Sequence, residues 1–177
     1  MSMQEIATAV QRVESAFRRR PEVGVHNDAP ALARWDGGTR VVAAHADGMQ
    51  VVTDMPKELG GSGDQVTPGW LFRAGLAACA ATSITLAAAA KGIDLKVLEV
   101  HVGSRSDARG LLGMSEPTGE PVFAGPFDVE LRVRIAASGT TPEDLRVLVE
   151  SCLQHSPVPS ALTHAIPFAL HVDVGTD

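Results

Sequence analysis

The sequence is poor in cysteine, with only Cys79 and Cys152 among its 177 residues. Two cysteines far apart in the chain are too few for a disulfide framework, and no CxxC motif or His/Cys cluster has the spacing of a zinc site. We therefore expect no metal and no cofactor. Each cysteine lies in an apolar helical pattern, where it is either an inert core side chain or, if ionised and accessible, a nucleophile.

Basic residues and aromatics are also scarce. The 15 Lys and Arg residues are outnumbered by 21 Asp and Glu residues, which gives a net charge of −6. Such a chain has no cationic surface to neutralise phosphates, so nucleic acid is excluded as an expected partner. The chain has no tyrosine and five phenylalanines, and Trp35 and Trp70 are typical of core or dimer packing.

Long hydrophobic runs are missing as well. The most apolar segment, residues 74–90, falls short of the ~20 residues that span a bilayer and contains Thr82, Ser83 and Thr85. It indicates a buried core helix, and we expect no membrane partner. The first residues lack the basic start and continuous apolar stretch of a secretory signal, so we predict a cytoplasmic protein with reduced thiols.

Hydrophobic periodicity divides the chain into two parts. Apolar residues at helical spacing predict an amphipathic helix over residues 3–19, and the segment up to residue 30 is typical of a linker. We therefore predict an N-terminal helix and linker over 1–30 and a single domain over 31–177.

The domain shows an alternation of strand and helix signals. The predicted order is three short strands (32–54), a long helix (68–90), two alternating strands (95–104 and 127–137), a helix (141–155) and a last strand, FALHVDV (168–174). This order predicts an α+β fold in which a mostly antiparallel sheet wraps around a central helix.

Three motifs in this layout match one family. They are PKELGG at 56–61, TPGWLFRAGLAAC at 67–79, which is similar to the family pattern NPEQLFAAGYSAC, and HSPVPSAL at 155–162, which is similar to CPVSxAL. Residues 36–174 thus resemble the OsmC/Ohr family of osmotically inducible and organic-hydroperoxide-resistance proteins. The resemblance implies a tightly intertwined homodimer with each site at the subunit interface.

The resemblance also implies a chemistry for Cys79. The family's enzymes are thiol peroxidases whose first cysteine attacks a hydroperoxide, becomes a sulfenic acid and condenses with a second cysteine, after which a dithiol reduces the disulfide. An arginine keeps the first thiol ionised, aided by a glutamate. Cys79 matches the first cysteine. Arg40 falls near the arginine of the organic-hydroperoxide branch, with an exposed strand arginine as the alternative, and Arg73 is a second candidate.

The chain departs from this pattern at two positions. Gly69 stands where the family has its glutamate, and Ser156, which cannot form a disulfide, stands where it has the second cysteine. Cys152 precedes Ser156 by one helical turn, so it is a candidate resolving thiol, with a buried core cysteine as the alternative. Gly69, Trp70 and Ser156 are the residues expected to line a substrate or ligand site.

Three functions follow as hypotheses. The leading one is an OsmC-like homodimer in which Cys79 reduces hydroperoxides with the help of a dithiol reductant. The second is a catalytically silent dimer that binds a small apolar ligand in an interfacial cleft. The third is a purely structural or stress-related dimer.

Overall fold

The computed structural model of the chain describes residues 2–164 and 166–175. The helices are α1 (Met3–Arg19), α2 (Pro68–Ala90), α3 (Ala108–Leu111), α4 (Pro142–Gln154) and α5 (Pro157–Thr163). The strands are β1 (Leu32–Trp35), β2 (Val41–Ala44), β3 (Gln50–Thr53), β4 (Asp94–Arg105) and β5 (Phe127–Ser138). Antiparallel strands and a long central helix confirm the predicted α+β class.

The strands form two separate antiparallel sheets within the described residues, where the sequence had predicted one. The first is the predicted three-stranded meander, in which β2 lies between β1 and β3. The second is a long two-stranded ladder of β4 and β5, whose register is shifted near both ends. Half-buried residues alternate along β4 and β5, so that one face of this ladder packs against the helices and the other faces solvent.

The central helix α2 has the bounds that its capping residues predict. The side chain of Thr67 accepts a hydrogen bond from the Trp70 N–H at 3.2 Å, and Pro68 occupies the first helical position. Beyond the other end, Gly92 has a φ of +68°, a conformation that favours glycine and stops the helix. Local chemistry therefore fixes both ends of the helix that carries Cys79.

One face of α2 forms the centre of the core. Four of its five buried side chains repeat every four residues, at Leu76, Ala80, Ile84 and Ala88. By length and composition α2 is also the one helix among the described residues that could cross a membrane. Here it packs against β4, α1 and α4, which is the position of a core helix.

Substitution of Leu148 tests this core. Leu148 is fully buried on α4 and belongs to the cluster around Ile84 and Ala88. We expect Leu148→Ala to lower the free energy of unfolding by about 2–5 kcal/mol, because it removes apolar contacts and leaves a cavity. Chemical denaturation at a fixed protein concentration measures the change. The matched control is Val147→Ala, since the Val147 side chain on the same helix is half exposed. An equal loss of unfolding free energy in both variants would contradict the position of Leu148 in the core.

The predicted last strand is not formed in the single chain. Residues 166–175 contain no helix or strand, and their apolar side chains are largely exposed, including Phe168 at 90% and Val174 at 86%. The alternation of apolar residues is present, as the sequence indicated. A strand also needs a neighbouring edge to satisfy its backbone groups, and this segment makes no such ladder within its own chain.

The N-terminal helix α1 confirms the predicted amphipathic segment. Ser2 and Glu5 form a capping box at its start, and the helix packs on α2 with Ala7 buried. Val13 and Phe17, on its apolar stripe, remain nearly half exposed. The division at residue 30 stays a prediction.

Candidate active site

The sulfur of Cys79 lies where α2 meets the start of α5. Cys79 is partly exposed and has no disulfide partner. The backbone N–H of Val158 donates a hydrogen bond to Sγ at 3.4 Å, and the Oγ of Ser156 lies 3.4 Å from the same sulfur. Cys79 is therefore a free thiol with two polar contacts from the segment that follows α4.

Ser156 is completely buried beside this thiol. Its exposed fraction is 0%, and its Oγ accepts a hydrogen bond from the Ser83 hydroxyl at 3.0 Å. Ser156 is also the N-cap residue of α5, yet its side chain makes no capping bond. The Cys79 sulfur instead accepts the hydrogen bond of the Val158 N–H at the second helical position. An N-cap side chain usually accepts the bond from this donor. The sulfur thus replaces the Ser156 hydroxyl as the capping acceptor.

Cys152 packs in the hydrophobic core. It is 7% exposed and packs in the cluster of Ile84, Ala88, Leu145 and Leu148. Burial raises the pKa of the Cys152 thiol above its ordinary value. Both properties are those of a core cysteine, which was the alternative interpretation of this residue; its role as a resolving thiol stays a prediction.

The structure places Arg40 in an ion-pair network just before β2, the middle strand of the meander. Its guanidinium contacts both carboxylate oxygens of Asp64 at 2.6–2.7 Å and the Ser62 hydroxyl at 3.1 Å. Its Nε lies 3.7 Å from the buried carboxylate of Asp54. The hydrogen bond with Asp64 raises the pKa of Arg40 above its ordinary value. The charge of Arg40 is therefore balanced by two acids of its own chain.

Arg73 contacts a different part of the chain from Cys79. Its Nη1 donates to the Ser104 hydroxyl at 3.4 Å and lies 3.7 Å from the position that a Cβ at Gly69 would occupy. Among the residues that the structure describes, the side-chain hydrogen bonds and ion pairs of Arg40 and Arg73 do not include Cys79. Within the described residues of one chain, no arginine is hydrogen-bonded to the thiol.

Of the three predicted ligand-site residues, Ser156 alone touches the thiol. Gly69 and Trp70 are exposed in the first turn of α2. They precede Cys79 by about ten residues, which corresponds to ~15 Å along a helix axis. One chain therefore does not bring Gly69 and Trp70 to the sulfur.

Two groups at the site were missed by sequence reasoning: the Ser83 hydroxyl and the Val158 N–H. Ser83 follows Cys79 by four residues, so helical spacing alone places both on one face. That signal was present in the sequence. The contact of Val158 depends on how α5 docks, and nothing local in the sequence indicates it.

In the part of the chain that the structure describes, no metal site accompanies these groups. Among residues 2–164 and 166–175, no three His, Cys, Asp or Glu side chains cluster so that they could hold an ion. The chemistry available at the junction is that of one thiol, two serine hydroxyls and a backbone N–H.

These observations define an α+β domain with a free thiol on its central helix, at the junction with a short C-terminal helix. The family model for OsmC-like protein matches residues 61–171, which is more than half of the chain. The chain therefore belongs to the OsmC-like family, as its motifs had indicated.

Solved structures share this fold. An OsmC-like protein from Mycoplasma pneumoniae matches with a TM-score of 0.64 at 18% identity, over 78% of this chain and 89% of that chain. An organic hydroperoxide resistance protein from Legionella pneumophila matches with a TM-score of 0.56 at 23% identity, over 78% and 90% of the two chains.

A third structure is that of a Vibrio cholerae protein assigned to organic hydroperoxide resistance, with captopril bound in one of its active sites. It matches with a TM-score of 0.51 at 26% identity, over 78% of this chain and 87% of that chain. No curated protein sequence matches the chain.

Proposed function

We propose that this protein reduces organic hydroperoxides in the cytoplasm with a single thiol, Cys79. The observation that carries the proposal is the environment of the sulfur, which is partly exposed and receives a hydrogen bond from the Val158 N–H. Hydrogen bonds to sulfur favour the thiolate, which is the nucleophilic form. Membership of the OsmC-like family supports the choice of a hydroperoxide as the electrophile.

The first step oxidises Cys79. Its thiolate attacks the terminal oxygen of the hydroperoxide ROOH, so that an S–O bond forms and the O–O bond breaks. The leaving RO⁻ takes a proton from water to become the alcohol, and the cysteine becomes a sulfenic acid. The sulfur loses two electrons, and the peroxide gains them.

An external dithiol closes the cycle. One of its thiols condenses with the sulfenic acid, releases water and forms a mixed disulfide with Cys79. Its second thiol then attacks that disulfide, which returns Cys79 to the thiol and oxidises the dithiol. No second protein cysteine is needed for either step, which suits a site that has Ser156 in place of the family's second cysteine.

Arg40 takes no step in this scheme, because Asp64 and Asp54 already balance its charge within the same chain. Its action on Cys79 stays a prediction. Gly69 and Trp70 would contact a peroxide only as residues of a second copy, given their separation from Cys79 along α2.

The proposal includes a homodimer. Only 22% of the most apolar 18-residue window of α2 is buried within one chain, and the apolar side chains of residues 166–175 are also exposed. Apolar surface of this extent is typical of a face that another chain covers. A second copy would cover both segments.

Light scattering tests the dimer. We expect a mass in solution of twice the 18.5 kDa chain. Leu170→Asp should weaken the dimer, because it places a charge among the exposed apolar side chains of the C-terminal segment. The matched control is His171→Asp, which adds the same charge at the alternate position of that segment. A single-chain mass for the unaltered protein would contradict the proposal.

The activity test mixes reduced protein with cumene hydroperoxide, with and without a dithiol such as dihydrolipoamide. We expect one equivalent of peroxide to be consumed per chain without reductant and repeated turnover with it. Trapping with dimedone should label Cys79, because a single-thiol cycle leaves a sulfenic acid rather than an internal disulfide. An intact protein mass lower by two hydrogens would show a Cys79–Cys152 disulfide instead.

The alternative functions give other outcomes of these experiments. A ligand-binding dimer would consume no peroxide, and its native mass spectrum would carry a bound small molecule. A purely structural dimer would be inert in both measurements.

A further inference from the structure

We propose that Ser83 is a positioning residue for the Cys79 thiolate, acting through the Ser156 hydroxyl. The inference deepens the proposed function and rests on it for its role in peroxide reduction. It concerns a residue outside the three family motifs and one turn beyond Cys79 on α2. Its basis is the direction of the hydrogen bonds in the partly buried chain Ser83–Ser156–Cys79.

The direction of these bonds follows from the number of hydrogens. The Ser83 hydroxyl donates a hydrogen bond to the Oγ of Ser156 at 3.0 Å. This bond occupies one lone pair of the Ser156 oxygen. Ser156 has a single hydroxyl hydrogen and is fully buried, with Cys79 Sγ at 3.4 Å. A buried hydroxyl hydrogen without an acceptor is unfavourable. Donation to the Cys79 sulfur satisfies it, and the thiolate form of Cys79 has no hydrogen to donate in return.

The orientation of Ser83 is itself unusual for a helical serine. Such a hydroxyl commonly bonds to the carbonyl four residues earlier, as Thr85 does to Ala81 at 2.9 Å on the same helix. Ser83 instead points across to Ser156. Ser83 thus forms a hydrogen bond from α2 to the segment before α5 in place of one within its own helix.

The sulfur therefore has two donors, the Ser156 hydroxyl and the Val158 N–H. Both stabilise negative charge on Sγ, and Ser83 fixes which way the first of them points. Without Ser83, the lone pair of Ser156 that Ser83 occupies becomes available to accept a hydrogen bond from the neutral thiol. The neutral thiol would then be stabilised relative to the thiolate.

The test measures alkylation of Cys79 by monobromobimane between about pH 6 and pH 10, with the modified site quantified by peptide mass spectrometry. For Ser83→Ala we expect the rate at neutral pH to fall about threefold to tenfold, which is the effect of one hydrogen bond. At high pH we expect a rate equal to or above that of the unaltered protein, since a less stabilised thiolate is the better nucleophile. The two pH profiles should cross or converge.

A double-mutant cycle shows whether Ser83 acts through Ser156. Ser156→Ala should slow alkylation at neutral pH at least as much as Ser83→Ala, and the double variant should equal Ser156→Ala alone. Ser83→Thr should restore the unaltered profile, because it keeps the hydroxyl and residue 83 borders a cleft of about 450 Å³ with room for a methyl group. Thr85→Val is the matched control, since the Thr85 hydroxyl donates to the Ala81 carbonyl of its own helix.

Three results would overturn the inference: an unchanged pH profile in Ser83→Ala, a rate reduced equally at every pH, or effects of the two alanine variants that multiply. Alkylation needs no peroxide, so this outcome is independent of the proposed function. If the unaltered protein consumes no cumene hydroperoxide while the Ser83→Ala profile moves, the proposed peroxidase is wrong and the positioning of the thiolate stands. If peroxide is consumed and the Ser83→Ala profile does not move, the proposed peroxidase stands and the positioning role of Ser83 is wrong.

Discussion

Cys79→Ser will reduce the consumption of cumene hydroperoxide to the background of a protein without a reactive thiol, a loss of about a hundredfold or more. The reason is chemical rather than structural. A serine hydroxyl is not ionised near neutral pH and cannot form a sulfenic acid, whereas its oxygen can still accept the Val158 N–H. Peroxide loss followed over time in the presence of a dithiol measures the effect.

The loss must be separated from a loss of fold. We expect Cys79→Ser to keep the far-UV circular dichroism and the dimeric mass of the unaltered protein, because the substitution is nearly isosteric and its neighbours are polar. Thr85→Val, which changes the same helix without reaching Cys79, should retain the peroxide consumption. If Cys79→Ser continued to consume peroxide, the reacting sulfur would lie elsewhere and the proposed function would be wrong.

The elements that the sequence predicted well are those whose causes are local. Thr67, Pro68 and Gly92 set the ends of α2 through capping, the fixed φ of proline and a left-handed glycine. Each of these effects acts within a few residues. The same holds for the meander of β1 to β3, whose turns contain glycine at positive φ.

The candidate site depends on contacts that are remote in sequence. Cys79 and Ser156 lie 77 positions apart. Their proximity was inferred from the resemblance of two motifs to the family, because no spacing in the sequence indicates it. The partners of Arg40 were not predictable in this way. Its pairing with Asp54 and Asp64 depends on how the loop after β3 folds back, which sequence alone does not show.

The last predicted strand illustrates a different limit. Apolar residues alternate along 168–174 in the sequence, but all of these residues are exposed in the single chain, Phe168 and Leu170 among them. Alternation indicates which side chains would share a face, but strand pairing requires a partner edge. Within the described part of the chain the segment is paired with no strand, so the alternation predicted a strand that a single chain does not form.

The second large effect concerns Asp54, a buried acid beside Arg40. Asp54 is 2% exposed, and its carboxylate accepts hydrogen bonds from the Met55 N–H at 2.8 Å, from the Ser62 N–H at 2.9 Å and from the hydroxyls of Ser62 and Thr39. These donors, the Ser62 hydroxyl first among them, hold the pKa of Asp54 well below its ordinary 3.8. The acid thereby fixes the loop that leads into α2.

We expect Asp54→Asn to lower the midpoint of thermal unfolding by about 5 °C or more. The asparagine removes the charge and turns an NH₂ group toward partners that are themselves donors, so at least one buried donor loses its acceptor. Differential scanning calorimetry at neutral pH and a fixed protein concentration measures the shift. Asp94→Asn is the matched control, because Asp94 is 62% exposed and pairs with Lys96 on the surface, where ion pairs contribute little.

The pH dependence of the same variant identifies the charge as the cause. Because the pKa of Asp54 is lower in the folded than in the unfolded state, the unfolded chain takes up the proton first as the pH falls. The stabilisation by Asp54 is therefore complete above about pH 5 and declines as the solution becomes more acidic. The difference in midpoint between the unaltered protein and Asp54→Asn should narrow from pH 5 downward. A difference that stays constant across that range would mean that the shape of the side chain, and not its ionisation, holds the loop in place.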